Sequence, residues 1–261
     1  MLRVMGWFSR IERAFIFRPC PFSTDWQAPP EDIHAEDVGL RLADGTLIHG
    51  WWCVPEPWVP EDGTVLYCHG NAGNLSHRAE GVRRWQKLLG QAVLIFDYPG
   101  YGKSGGRPTE EGCYAAGEIM YRFLIEQQHV PAQRIILYGG SLGGAVAVDL
   151  ACKFDHRVLV LVSAFSSIRD MARCAFPWLP LVARFVGTKF DNVAKLPRCK
   201  APIFIAHGTA DQVVPFVQSE HLRRAACQPC RFFPMEGYDH NNTPGPDFYV
   251  ALKEFLDRPS S

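Results

Sequence analysis

Ser141 is the residue around which this sequence could do chemistry. It sits in Gly139-Gly140-Ser141-Leu142-Gly143, where an apolar stretch of strand character, Ile135-Ile136-Leu137-Tyr138, must turn abruptly into a helical one, Ala145-Val146-Ala147-Val148. A serine on such a turn presents its hydroxyl at the tip, and glycines two residues to either side let strand and helix approach closely. In an arbitrary loop a G-x-S-x-G match is only a turn; the strand before it and the helix after it make Ser141 a candidate nucleophile. A serine hydroxyl reacts poorly at neutral pH unless a base takes its proton and an acid orients that base. Asp211 is the candidate acid, on the loop His207-Gly208-Thr209-Ala210-Asp211 that follows the apolar Ile203-Phe204-Ile205-Ala206. His240 is the candidate base, in Glu236-Gly237-Tyr238-Asp239-His240-Asn241 after Arg231-Phe232-Phe233-Pro234. The preceding strand, Val158 to Val162, ends in Ser163-Ala164-Phe165 and supplies no carboxylate, which favours Asp211. Asp239 and Asp97 remain lesser candidates, Asp239 as a neighbour of the base and Asp97 as a structural residue.

Acyl transfer also needs donors aimed at the oxyanion of the tetrahedral intermediate. The stretch Thr64 to Cys68 leads into His69-Gly70-Asn71-Ala72-Gly73, a turn whose backbone could face the nucleophile. The backbone N–H groups of Asn71 and Leu142 are the expected oxyanion donors. Gly102-Lys103-Ser104 resembles the end of a phosphate-binding loop, but such a loop needs glycine at the position of Asp97, and Gly105, Gly106 and Pro108 delay the following helix. Lys103 and Ser104 are therefore read as turn and surface residues.

The elements that must position these residues alternate along the chain. Ile33 to Leu42 and Leu47 to Val54 flank Asp44-Gly45, which predicts an antiparallel hairpin with a two-residue loop. Strands near 64–68, 92–97, 134–139, 158–162, 202–207 and 231–234 then alternate with helices near 76–89, 109–128, 142–153, 216–226 and 247–256. That order implies right-handed crossovers and a mostly parallel sheet with helices on both faces. An insertion at about 165–200 is a small cap, and its apolar Phe176, Trp178 and Leu181 are candidate substrate-binding residues that could form an acyl-accepting wall.

With 261 residues, 47% hydrophobic and 21% charged, the chain is expected to form a single domain over 21–258, preceded by an arm over 1–20. Lys plus Arg equals Asp plus Glu at 27 each, which argues against a nucleic-acid partner. Nine cysteines, several inside apolar patterns, read as thiols in a reducing, cytoplasmic setting, and the lone Cys227-Gln228-Pro229-Cys230 reads as structural. No metal and no cofactor is expected. In the arm, Val4, Phe8, Ile11 and Phe15 share a helical face with Arg3, Arg10 and Arg13 near another. That pattern suits either docking on the protein's own core or peripheral membrane contact through residues 1–18, and it is too short in uncharged apolar residues to span.

The motifs His69 to Gly73, Asp97-Tyr98-Pro99-Gly100-Tyr101-Gly102-Lys103-Ser104, Gly139 to Gly143, His207 to Asp211 and Gly237 to Asn241 occur in an order that resembles the α/β-hydrolase-fold serine hydrolases. The likeness runs over nearly the whole chain and is to the short-capped branch of serine aminopeptidase-like and monoacylglycerol-lipase-like enzymes. It implies an α/β-hydrolase fold and a serine hydrolase that cleaves a small-molecule carboxylic ester or thioester through an acyl-enzyme. An amidase or peptidase using the same triad, and a non-catalytic binding protein on the same fold, are the alternatives, because likeness of fold does not choose a substrate.

Overall fold

In the computed structural model, residues 16–176, 178, 187 and 190–257 are described. Positions 1–15 of the arm and Leu181 lie outside the described residues. Ten strands are found among them: β1 (Arg18–Pro19), β2 (Ala35–Arg41), β3 (Leu47–Cys53), β4 (Thr64–Cys68), β5 (Ala72–Gly73), β6 (Ala92–Phe96), β7 (Ile135–Gly140), β8 (Val158–Val162), β9 (Ile203–Gly208) and β10 (Cys230–Met235). The helices are α1 (Ala79–Leu89), α2 (Glu110–Glu126), α3 (Leu142–Lys153), α4 (Ile168–Ala175), α5 (Asn192–Lys195), α6 (Val217–Ala225) and α7 (Pro246–Leu256).

Eight strands form one sheet in the order β10-β9-β8-β7-β4-β6-β3-β2. Strands from β10 through β6 pair in parallel, and only β3 and β2 run antiparallel to their neighbours. The central strands are buried throughout, so alternate side chains serve two cores. Leu66, Leu94, Leu137, Leu159 and Ile205 face one core with α2 and α3. Val65, Val93, Ile136, Val160 and Phe204 face the other with α1 and α7. Burial on both faces is what turns these strands into near-continuous apolar runs, each large side chain contributing about 1.5–3 kcal/mol when removed from water.

One expectation needs correction. The hairpin loop is one residue longer than Asp44-Gly45 alone predicts: the Leu42 N–H donates to Thr46 O and the Gly45 N–H to Leu42 O, with Gly45 at φ 85°. Ala43, Asp44 and Gly45 form a three-residue loop whose left-handed last position requires the glycine. At the end of the arm, Arg18 and Pro19 pair with Ala72 and Gly73 as a two-stranded parallel sheet.

No helix among the described residues is long and apolar enough to cross a membrane. What the sheet does for the site follows from its strand order. From β4 the chain moves outward to β6, then returns to the other side of β4 as β7, so direction reverses between these two neighbours. In open α/β sheets a crevice forms at the carboxyl ends of strands flanking such a reversal. The loops after β4 and β7 carry Asn71 and Ser141.

Candidate active site

Ser141 stands between the last residue of β7 and the first of α3 with φ 50° and ψ −117°. A non-glycine residue there stores strain on the order of 1–3 kcal/mol, which persists only where the surroundings enforce it. Here the enforcement is steric. A Cβ at Gly139 would overlap the Gly143 carbonyl oxygen, and one at Gly143 would overlap that of Cys68. The Ser141 N–H donates to Val162 O at 2.9 Å, tying the turn to β8 as well.

His240 reaches Ser141 although its strand, β10, lies at the sheet edge. Gly208 makes the crossing feasible: a Cβ there would collide with the Tyr238 carbonyl, which instead accepts the Ala210 N–H at 3.0 Å. The loop after β10 thus lies directly over the end of β9. The result is a chain of contacts, with His240 Nε2 3.1 Å from Ser141 Oγ and His240 Nδ1 2.7 Å from Asp211 Oδ2. A proton on Nδ1 directed at the carboxylate leaves Nε2 as the acceptor facing the serine hydroxyl. Asp239 does not take the acid's place, since its Oδ1 accepts the His240 backbone N–H at 2.7 Å.

Asp211 is buried, and burial by itself would push its carboxyl upward, but hydrogen bonds from His207, His240 and the Val214 N–H outweigh this and hold it well below the usual carboxylate range. Its Oδ1 accepts the backbone N–H groups of Val213 and Val214 at 2.9 and 2.8 Å. Its Oδ2 faces two imidazoles, that of His240 and that of the fully buried His207, whose Nε2 lies 3.3 Å away. His207 Nε2 also faces Val214 O at 2.8 Å, while Nδ1 meets the Ser219 hydroxyl. With acceptors on the Nε2 side, the proton belongs on Nε2 and Nδ1 accepts from Ser219. The sequence reading missed His207; its signal was a histidine at a strand end four residues before the acid.

On the opposite wall, a Cβ at Gly70 would stand 3.6 Å from Ser141 Cβ, so the loop after β4 borders Ser141. Leu142 opens α3, where a helix's first N–H groups have no partner within the helix. The loop is braced beneath by His69 and Asp97, both fully buried with Nε2 and Oδ1 3.2 Å apart, and Asp97 Oδ1 also accepts the Leu75 N–H at 2.8 Å. Asp97 is thus a brace for this loop. Ser104 departs from its expected surface role: it is buried, accepts the His49 N–H at 2.9 Å and donates to Asp97 O at 2.8 Å. Lys103 lies over the Trp26 ring at 4.7 Å and reaches Asp37.

Phe176 and Trp178 are 41% and 73% exposed, and their ring contact is with each other, edge to face at 6.0 Å. All nine cysteines are free, and burial pushes the Cys53 thiol up to about 12, far from thiolate chemistry at neutral pH. Among the described residues, Cys20, Asp25 and His77 form the one group able to bring three donors within 4.8 Å of one another. In that group His77 Nδ1 accepts the Asn74 N–H at 3.4 Å and His77 Nε2 lies 3.1 Å from Asp25 Oδ2. None of the three belongs to the loops that carry Ser141, Asp211 and His240.

Comparison with known proteins gives a consistent picture. Residues 63–188 match the alpha/beta hydrolase fold family. The Mycobacterium tuberculosis protein Rv2307c is 37% identical over 223 residues, spanning 84% of this chain and 78% of its own. The alpha/beta hydrolase domain-containing protein WAV2 of Arabidopsis thaliana is 30% identical over 245 residues, spanning 85% of this chain and 79% of its own. Among solved structures, the Pyrococcus furiosus esterase Pf2001 superposes with a TM-score of 0.72 at 20% identity, over 92% of this chain and 96% of that one, a likeness of fold.

Proposed function

Because the chain belongs to the alpha/beta hydrolase fold family, we propose that it is a serine hydrolase cleaving a carboxylic ester or thioester, with Ser141 as nucleophile, His240 as base and Asp211 as the orienting acid. The observation that carries this reading is the unbroken relay from Ser141 Oγ to His240 Nε2 at 3.1 Å and from His240 Nδ1 to Asp211 Oδ2 at 2.7 Å. The esterase named among the structural neighbours agrees with it.

In the proposed cycle His240 Nε2 takes the Ser141 proton as Oγ bonds to the substrate's carbonyl carbon, and the oxyanion so formed accepts from the Asn71 and Leu142 N–H groups. Collapse of that intermediate breaks the bond to the alcohol or thiol, which leaves with the proton His240 returns. Water then repeats the sequence on the acyl-enzyme and releases the acid. Asp211, its carboxyl held well below the usual carboxylate range, fixes the imidazole tautomer and stabilises its charged form. The exposed Phe176 and Trp178 offer apolar surface to an acyl chain.

The test is reaction with a fluorophosphonate probe followed by turnover of a matched ester, thioester and amide. Labelling at Ser141, abolished in Ser141→Ala, with ester or thioester turnover above amide turnover is the expected result. Faster amide turnover would make the protein an amidase, and a folded protein that neither labels nor turns over would be a binding protein.

A further inference from the structure

The loop after β4 is held by groups that no triad residue touches. Asn71 Oδ1 accepts two hydrogen bonds, from the Arg18 backbone N–H at 2.8 Å and from the Tyr101 hydroxyl at 3.0 Å. A carbonyl-type oxygen has two lone pairs, so this side chain is fixed from two directions at once. The same N-terminal segment continues along the loop: the Cys20 N–H donates to Gly73 O at 3.2 Å, and Asn74 Nδ2 donates to Cys20 O and Asp25 O at 3.2 and 2.7 Å. The segment is itself anchored. Phe17 is buried edge-on against Phe190 at 6.1 Å, and the Gly102 N–H donates to Cys20 O at 3.0 Å. Tyr101 is fully buried, with its ring against His69 and Tyr98.

A backbone oxyanion donor cannot be tuned by its own side chain's chemistry, only by where the chain holds it. Such donors work only when set within a few tenths of an ångström of the position the oxyanion takes. We propose that the Arg18–Cys20 segment and the Tyr101 hydroxyl, acting through the Asn71 side chain, are a positioning clamp that sets the Asn71 N–H against the oxyanion formed at Ser141. This inference rests on the hydrolase reading above. It assigns Asn71 a double role, its N–H as donor and its side-chain oxygen as the handle by which the N-terminal segment holds that donor. It also makes Tyr101 a positioning residue for the reaction, although its hydroxyl does not meet the substrate.

Two variants separate the handle from the donor. Asn71→Ala keeps the backbone N–H and removes both hydrogen bonds, and Tyr101→Phe removes one hydroxyl and keeps the buried ring. Three measurements apply to each: hydrogen exchange of the amides of residues 70–74, kcat and KM on a soluble ester, and inhibition by a trifluoromethyl ketone of the same acyl group, whose adduct with Ser141 carries the oxyanion. The expected result is faster exchange across 70–74, with kcat/KM and ketone affinity falling together by about tenfold in Tyr101→Phe and by more in Asn71→Ala, while KM moves less than twofold. Unchanged exchange overturns the clamp, and so does faster exchange with ketone affinity unaltered, the signature of a merely structural contact. If Asn71→Ala does not fold, Tyr101→Phe decides alone. A wild-type protein inert toward esters and ketone would refute the hydrolase reading instead, and the exchange comparison would still decide whether Arg18 and Tyr101 hold the loop.

Discussion

The two walls of the site are held by different physics. The wall that carries Ser141 is a backbone arrangement: Gly139 and Gly143 stand where any side chain would overlap a carbonyl oxygen, and the Ser141 conformation is forced by that packing. The opposite wall is a polar arrangement, in which the loop after β4 hangs on hydrogen bonds to Asn71, Asn74 and Asp97. Steric repulsion rises steeply as atoms approach, whereas a hydrogen bond weakens gradually as it lengthens and water can replace it. The first wall therefore tolerates almost nothing, and the second can be loosened by degrees.

Experiments can sharpen that contrast. Ser141→Ala gives the largest effect expected, a fall in kcat on an ester of at least about 10⁴-fold with Tm nearly unchanged, as for a triad member whose loss disables the unit. A Tm shift as large as the activity loss would show that the strained serine is structural. Next comes Gly143→Ala, which must push the turn away from Cys68 O and is expected to lower stability by about 2–4 kcal/mol and activity by at least ~100-fold. A well-behaved, active Gly143→Ala protein would break the steric account of that wall.

The acid's surroundings give a middle-sized effect. His207→Leu removes one of the two imidazoles on Asp211 Oδ2 and leaves the Ser219 hydroxyl without its partner. A drop in kcat of about tenfold with KM nearly constant is expected, and kcat equal to wild type would show that His207 only fills the core. Asp211 also makes stability depend on pH. Its carboxyl is held below its unfolded value by the His207, His240 and Val214 hydrogen bonds against the opposing effect of burial. That stabilisation is complete above the unfolded pKa of about 4 and is lost as pH falls through that range toward the lower folded value. Urea unfolding at pH ~6 and ~3 should show a shallower decline for Asp211→Asn than for wild type, and parallel declines would mean that other carboxylates dominate. The smallest effect belongs to the cap. If Trp178 meets the acyl chain, kcat/KM should rise about fourfold per added methylene up to a limit, and Trp178→Ala should flatten that slope.

Much of this arrangement was legible in the sequence because it is local. Runs such as Val158 to Val162 and Ile203 to Ala206 read as buried strands since both faces must be apolar, and the glycines around Ser141 announce a turn that no side chain could share. The chain order of Ser141, Asp211 and His240 followed from those strand ends. Other features depend on residues far apart in sequence. That His240 crosses from the edge strand over Gly208, that Asp211 serves two imidazoles, and that Ser104 is buried beneath His49 come from strand order and loop packing. The hairpin loop differed by one residue because the Arg41–Leu47 pairing of its two strands continues to Leu42 and Thr46, which leaves three residues to turn. The sequence alone determined which residues are candidates for the chemistry, through the periodicity of burial and the steric demands of one turn. The tertiary structure decided how those residues are held, bringing Arg18 to Asn71 across 53 positions and Asp97 to the Leu75 N–H, because hydrogen bonds between distant segments exist only once the sheet has set its strands side by side.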